Sequence, residues 1–110
     1  MAKTIREAYG EALVTYGKED PRVVGLVSGS TKSAVFGAAC PERFFNVGIA
    51  ESNMTAMAAG FAATGKIPFV NTFAVFLSSL GLTATRIYAS YSRLPIKLAG
   101  AYGGLSDALD

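Results

Sequence analysis

Four short strand-like runs, Val23–Val27, Arg43–Val47, Ile67–Asn71 and Leu94–Ala99, are each separated from the next by a segment long enough to cross back over a sheet. Strands joined by such crossovers lie parallel. A parallel sheet must be covered by helices on both faces, because its strands are apolar on both sides. Val23-Val24-Gly25-Leu26-Val27, apolar without alternation, is the run best suited to that doubly buried position. The expected fold class is therefore α/β, a three-layer α/β/α arrangement around a parallel sheet of about four strands.

The segments between the runs supply the helices. Thr4-Ile5-Arg6-Glu7 reads as a capping box, and Ile5, Ala8, Tyr9, Ala12, Leu13 and Tyr16 recur at helical spacing until Gly17. A first helix is predicted over residues 4–16, followed by a polar turn at Lys18–Pro21. Ser33–Cys40 is a short helix and Pro41-Glu42 a turn. Met54–Thr64 is an Ala-, Met- and Gly-rich helix that opens with Glu51 in its first turn and stops at Gly65. Thr72 is positioned to cap a long helix from Phe73 to about Ser92, and Gly100–Asp110 is a glycine-rich loop. No internal repeat, low-complexity tract or linker interrupts this single domain.

Ligands of parallel α/β sheets bind beyond the carboxyl ends of the strands. The segments leaving those ends are Ser28–Lys32, Gly48–Asn53, Asn71–Phe76 and Gly100–Asp110. Glu51 is the one carboxylate set between two of the least polar stretches of the chain. From spacing alone two readings stay open: a carboxylate that complements the positive helix end, or a group that does chemistry at the sheet edge.

Composition removes several classes of function. Ten basic and eight acidic side chains in 110 residues, without a Lys/Arg run, leave no footprint for nucleic acid or an anionic membrane. The uncharged stretch Ile67–Thr85 is broken by Pro68, Asn71, Thr72 and Gly81, which favours a strand and a helix over a membrane span. Histidine is absent, so imidazole bases and imidazole metal ligands are unavailable. A single cysteine, Cys40, and no leader-like apolar segment after Met1 predict a reducing, cytoplasmic setting. With 51% apolar residues and only 16% charged, the chain is expected to bury surface against a partner or a second copy.

Two stretches carry a family resemblance. Arg43-Phe44-Phe45-Asn46-Val47-Gly48-Ile49-Ala50-Glu51-Ser52-Asn53-Met54 and Gly65-Lys66-Ile67-Pro68-Phe69-Val70-Asn71-Thr72-Phe73-Ala74-Val75-Phe76 closely resemble the pyrimidine-binding domain of transketolases, most of all the separate C-terminal subunit of split transketolases. The resemblance extends from the Arg6-Glu7-Ala8-Tyr9-Gly10 helix to Gly103-Gly104-Leu105-Ser106. It implies the thiamine diphosphate-binding fold with strand order 2-1-3-4. Glu51 then matches the glutamate that hydrogen-bonds N1′ of the cofactor aminopyrimidine, favouring the imino tautomer whose 4′-nitrogen deprotonates the thiazolium. The cofactor thereby supplies the base that a histidine-free chain lacks.

The same resemblance matches Phe73 and Phe76 to aromatic residues packed on the pyrimidine, where the residues alone favour ordinary core packing. Ser28 and Ser30 fall in the loop that approaches the cofactor, and Asp110 aligns with an aspartate near the substrate hydroxyls. No residue of this chain is expected to bind metal: diphosphate and magnesium belong to a partner subunit carrying a Gly-Asp-Gly motif. The implied activity is transfer of a two-carbon ketol unit between sugar phosphates by the assembled complex, the isolated chain being inactive.

Three departures set the chain apart from the family pattern. The loop at Ser28–Lys32 is shorter, Ser52 stands where glutamine is common, and the sequence ends where the family continues, so that strand four is expected to present a bare edge. Two alternatives remain in view: a truncated, non-catalytic interaction domain, and the pyrimidine domain of a 1-deoxyxylulose-5-phosphate synthase or a 2-oxo acid dehydrogenase.

Overall fold

The computed structural model describes residues 2–29 and 35–105. Its centre is a four-stranded, wholly parallel sheet in the order β2-β1-β3-β4, formed by β1 (Val23–Val27), β2 (Phe44–Asn46), β3 (Ile67–Phe73) and β4 (Lys97–Ala101). The helices are α1 (Ile5–Glu19), α2 (Val35–Ala39), α3 (Glu51–Ala63), α4 (Ala74–Ser79) and α5 (Leu82–Ala84). A 3-10 turn at Pro41–Arg43 precedes β2, and a π-helix at Thr85–Tyr91 continues α5. The sheet order and the α/β class are as expected.

All five residues of β1 are buried, and their alternation feeds two separate cores. On one face Val24, Leu26 and Val70 pack with Met54 and Ala58 of α3 and Leu77 of α4. On the other, Val23 packs with Leu13 of α1, Phe36 of α2 and Cys40. Phe36 is inserted so deeply that a Cβ on Gly25 would stand 2.9 Å from its ring, and one on Gly17 nearer still. These glycines are there for close approach.

That packing explains why α1 does not stop at Gly17 as predicted. Gly17 lies inside the helix, against Phe36, and α1 ends at Glu19, three residues beyond the expected Tyr16, where the Asp20 amide donates to the Tyr16 carbonyl. Lys18 and Glu19 are therefore helical and not part of a turn. The capping box is present as read, with Thr4 and Glu7 bonding each other's amides. Arg43 belongs to the 3-10 turn and not to β2, because its guanidinium is spent on the carbonyls of Gly17, Asp20 and Val23. Of the predicted Ser33–Cys40 helix, Val35–Ala39 is observed, and Ser33 lies outside the described residues.

The region after Asn71 departs most from expectation. β3 runs on to Phe73, because Asn71, Thr72 and Phe73 pair with Ala99, Gly100 and Ala101 of β4. Thr72 is thus a strand residue and caps nothing. The predicted helix Phe73–Ser92 is broken at Gly81, which is buried with the Leu77 carbonyl so near that an added Cβ would lie 2.7 Å from it. β4 starts at Lys97 and not at Leu94, since Pro95 has no amide to give the ladder and Arg93 turns with φ +53°. The expected stop at Gly65 holds: its φ of +86° is one that glycine adopts without penalty.

Candidate functional site

The carboxyl ends of β1, β2 and β3 meet around the start of α3. After β2 the chain turns through Gly48, at φ +73°, and enters α3 with Ala50 as a cap that offers no side-chain acceptor. Asn46 ties the neighbouring loops together, its Oδ1 accepting from the amides of Gly29 (3.2 Å) and Gly48 (3.1 Å). The sequence reading did not single out Asn46. Its signal was an Asn two residues before a Gly, the ordinary signature of a side chain that closes a turn.

Glu51 opens α3 and is only 4% exposed. Its Oε1 accepts a 2.8 Å hydrogen bond from the Ser28 hydroxyl, the first residue beyond β1. Among the described residues nothing donates to Oε2, and no lysine or arginine forms an ion pair with the carboxylate. Oε2, unlike the sealed hydroxyls of Tyr9 and Thr85, is not closed off from solvent, so it can accept an incoming donor. The site therefore fits a ligand that brings an N–H, such as a protonated ring nitrogen.

Phe73 and Phe76 are also brought together, stacked at 5.6 Å between centroids and 12° between planes. Phe73 leaves β3 on the α1 face, following Phe69, whereas Ser28 and Glu51 sit on the α3 face. Phe73 is a strand-end residue, so the two rings are not three apart on one helix; Phe76 lies on α4 and is 39% exposed. Sequence reasoning missed what holds Phe73. Tyr102 meets it edge-on at 5.1 Å, and the buried guanidinium of Arg6 lies over both rings while donating to the Tyr102 hydroxyl at 3.0 Å. Arg6 carried no signal, because on a helical wheel it looks like a solvated capping-box neighbour.

Ser30 and Asp110, the other two candidates, lie outside the described residues. Among the described residues no cluster of three or more His, Cys, Asp or Glu could hold a metal, and no helix is long and apolar enough to cross a membrane. A separate cavity of about 340 Å³ opens between α4, α5 and β4, lined by Leu77, Leu82, Thr85, Leu98 and Gly100. Its walls are almost wholly apolar and do not include Glu51, so it is not where the titratable chemistry sits.

Comparison with known proteins agrees with this geometry. Residues 1–108 match the family described as transketolase, pyrimidine binding domain. A protein named as a transketolase C-terminal section, from Methanocaldococcus jannaschii, is 42% identical over 107 residues, which are 94% of this chain and 34% of that protein. The 6-deoxy-6-sulfo-D-fructose transketolase subunit SqwH of a Clostridium species is 33% identical over 109 residues, 96% of this chain and 34% of its own length. The chain thus spans about one third of these relatives. Among solved structures, a split gene transketolase in an inactive β4 tetramer superposes with a TM-score of 0.77 at 43% identity, covering 86% of this chain and 33% of that one. With the motifs, the parallel sheet order and the matched residues in agreement, the chain belongs to the transketolase pyrimidine-binding domain family.

Proposed function

We propose that residues 1–110 form the aminopyrimidine-binding unit of a thiamine diphosphate enzyme of the transketolase type. The observation that carries this reading is the nearly buried Glu51 carboxylate, with Oε1 bonded to Ser28 and Oε2 left for a ligand. Bound there, the cofactor supplies the electron sink that transfer of a two-carbon ketol unit between sugar phosphates requires. Glu51 holds a proton between its Oε2 and N1′, in an apolar setting that strengthens the bond. Phe73 and Phe76 stack at the same carboxyl edge but on the opposite face of the sheet from Glu51, so their assignment to the pyrimidine rests on the resemblance, as do the roles of Ser28 and Ser30 toward the cofactor and of Asp110 toward a substrate hydroxyl.

Diphosphate and magnesium are assigned to a partner subunit, and this chain alone then has no turnover. The description of one relative as a transketolase C-terminal section, and of the solved neighbour as a split gene transketolase, supports that division of labour. We place the complex in the cytoplasm, where a free buried thiol such as Cys40 persists. The test is co-purification of a diphosphate-binding subunit with this chain, followed by a ketol-transfer assay on the pair. A ketose phosphate tested against pyruvate as donor separates transketolase from synthase or dehydrogenase chemistry. Glu51→Gln is expected to lower turnover by about a hundredfold or more while leaving Tm unchanged. Full activity in that variant would sink the assignment.

A second reading rests on the solved neighbour, whose description is an inactive tetramer. If this chain only self-associates and binds no cofactor beside a competent partner, it is an interaction domain.

A further inference from the structure

Resting on the proposed role of Glu51, we infer that Ser28 is a positioning residue, whose hydroxyl fixes the carboxylate so that Oε2 and not Oε1 meets the pyrimidine ring.

Ser28 is 7% exposed, and its backbone is fixed: its amide donates to the Asn71 carbonyl at 3.4 Å, carrying the β1–β3 ladder one residue past Val27. Strand alternation then sends its side chain to the face that carries Leu26 and α3. A serine hydroxyl has one proton to give and lone pairs to receive. Here the Ala50 amide donates to Ser28 Oγ at 3.3 Å, and the hydroxyl proton is directed to Glu51 Oε1 at 2.8 Å. The Ala50 amide is shared with the Gly48 carbonyl at 3.0 Å, so the first contact ties Ser28 to the turn that opens α3. One hydroxyl therefore registers the end of β1, the start of α3 and the rotamer of the carboxylate together. With Oε1 engaged by Ser28, Oε2 is the carboxylate oxygen with no donor among the described residues, and a bond made to a pre-set oxygen loses less on ordering than one made to a freely rotating group.

The test measures binding, on the complex of this chain with its diphosphate-binding subunit. Two compounds are compared: thiamine diphosphate, and the analogue in which N1′ is replaced by C–H and can no longer bond the carboxylate. The ratio of their affinities reads the Glu51 bond directly. In Ser28→Ala the affinity for thiamine diphosphate is expected to fall about tenfold while that for the analogue stays unchanged, so that the ratio collapses. Ser28→Thr, which keeps the hydroxyl, is expected to restore the ratio. Equal weakening of both compounds would mean that Ser28 only supports the fold, and an unchanged ratio would mean that it does not set the carboxylate. Either result overturns the inference.

Glu51→Gln separates the role of Ser28 from that of Glu51. If it lowers the ratio and Ser28→Ala does not, this inference falls alone. Should the ratio survive Glu51→Gln, or the unsubstituted complex fail to favour thiamine diphosphate, the role of Glu51 falls and takes the inference with it.

Discussion

Tyr9 shows how much one atom can matter inside a small α/β domain. Its ring packs at the margin of the α1-side core, and its hydroxyl is buried with no hydrogen-bond partner among the described residues. Burial raises its pKa above the ordinary 10.0, since the phenolate would lose its hydration. The folded value is the higher one, so the stability tied to the protonated phenol is fully present below pH 10. It is lost as pH rises beyond that, because the unfolded chain ionises first. Tyr9→Phe should raise stability by about 1 kcal/mol at neutral pH, by removing an unsatisfied hydroxyl, and should blunt the alkaline loss. Thermal melts at pH 7 and pH 10.5 check both halves. At this scale the sequence was readable where a residue acts alone and opaque where it acts through a distant partner. Glu51 stood out as a carboxylate among apolar neighbours, but the hydroxyl that holds it lies in another loop. Arg6 looked solvated for the same reason: its partner, Tyr102, is at the far end of the chain.

At the scale of elements, β1 and the start of α3 were legible to the residue, because each is bounded by strong local signals and its tertiary setting agrees with them. The errors fall where a glycine was read as punctuation or a threonine as a cap. Gly17 is a packing glycine that lets Phe36 fill the space between α1 and β1. Gly81, inside the predicted long helix, is what divides α4 from α5. Propensity cannot make that distinction, since the deciding contact comes from elsewhere in the fold. Gly17→Ala, a change that favours helix in an isolated peptide, is therefore expected to cost the protein about 1–3 kcal/mol through overpacking against Phe36. Chemical denaturation shows the sign: a stabilised variant would mean that Phe36 can move aside.

For the molecule as a whole, the two edges of the sheet differ. β2 offers three residues, whereas β4 offers five, with Leu98 40% exposed beside the apolar cavity of α4 and α5. Among the described residues no strand pairs with the outer side of β4, and an apolar edge of that kind invites pairing with another chain. Expressed as 110 residues, the protein should scatter light on concentration, and Leu98→Lys should reduce that scattering with little change in Tm. Unaltered aggregation would locate the adhesive surface elsewhere, the exposed Ile5 and Tyr16 of α1 being the next to test. The expectation of a surface rich in apolar groups followed from composition, but which face carries it depended on the sheet order.

That order also has a kinetic meaning. Val23 pairs with Ile67 and Val27 with Asn71 in a parallel ladder, and no hairpin can nucleate such a pairing from neighbours in sequence. Ser28 and Glu51, 23 residues apart in the chain, are likewise brought together by tertiary structure and not by any local turn. Burial of the carboxylate is thus a property of the closed sheet: wherever the end of β1 and the start of α3 come apart, Glu51 is solvated and the site loses the group that would recognise the cofactor.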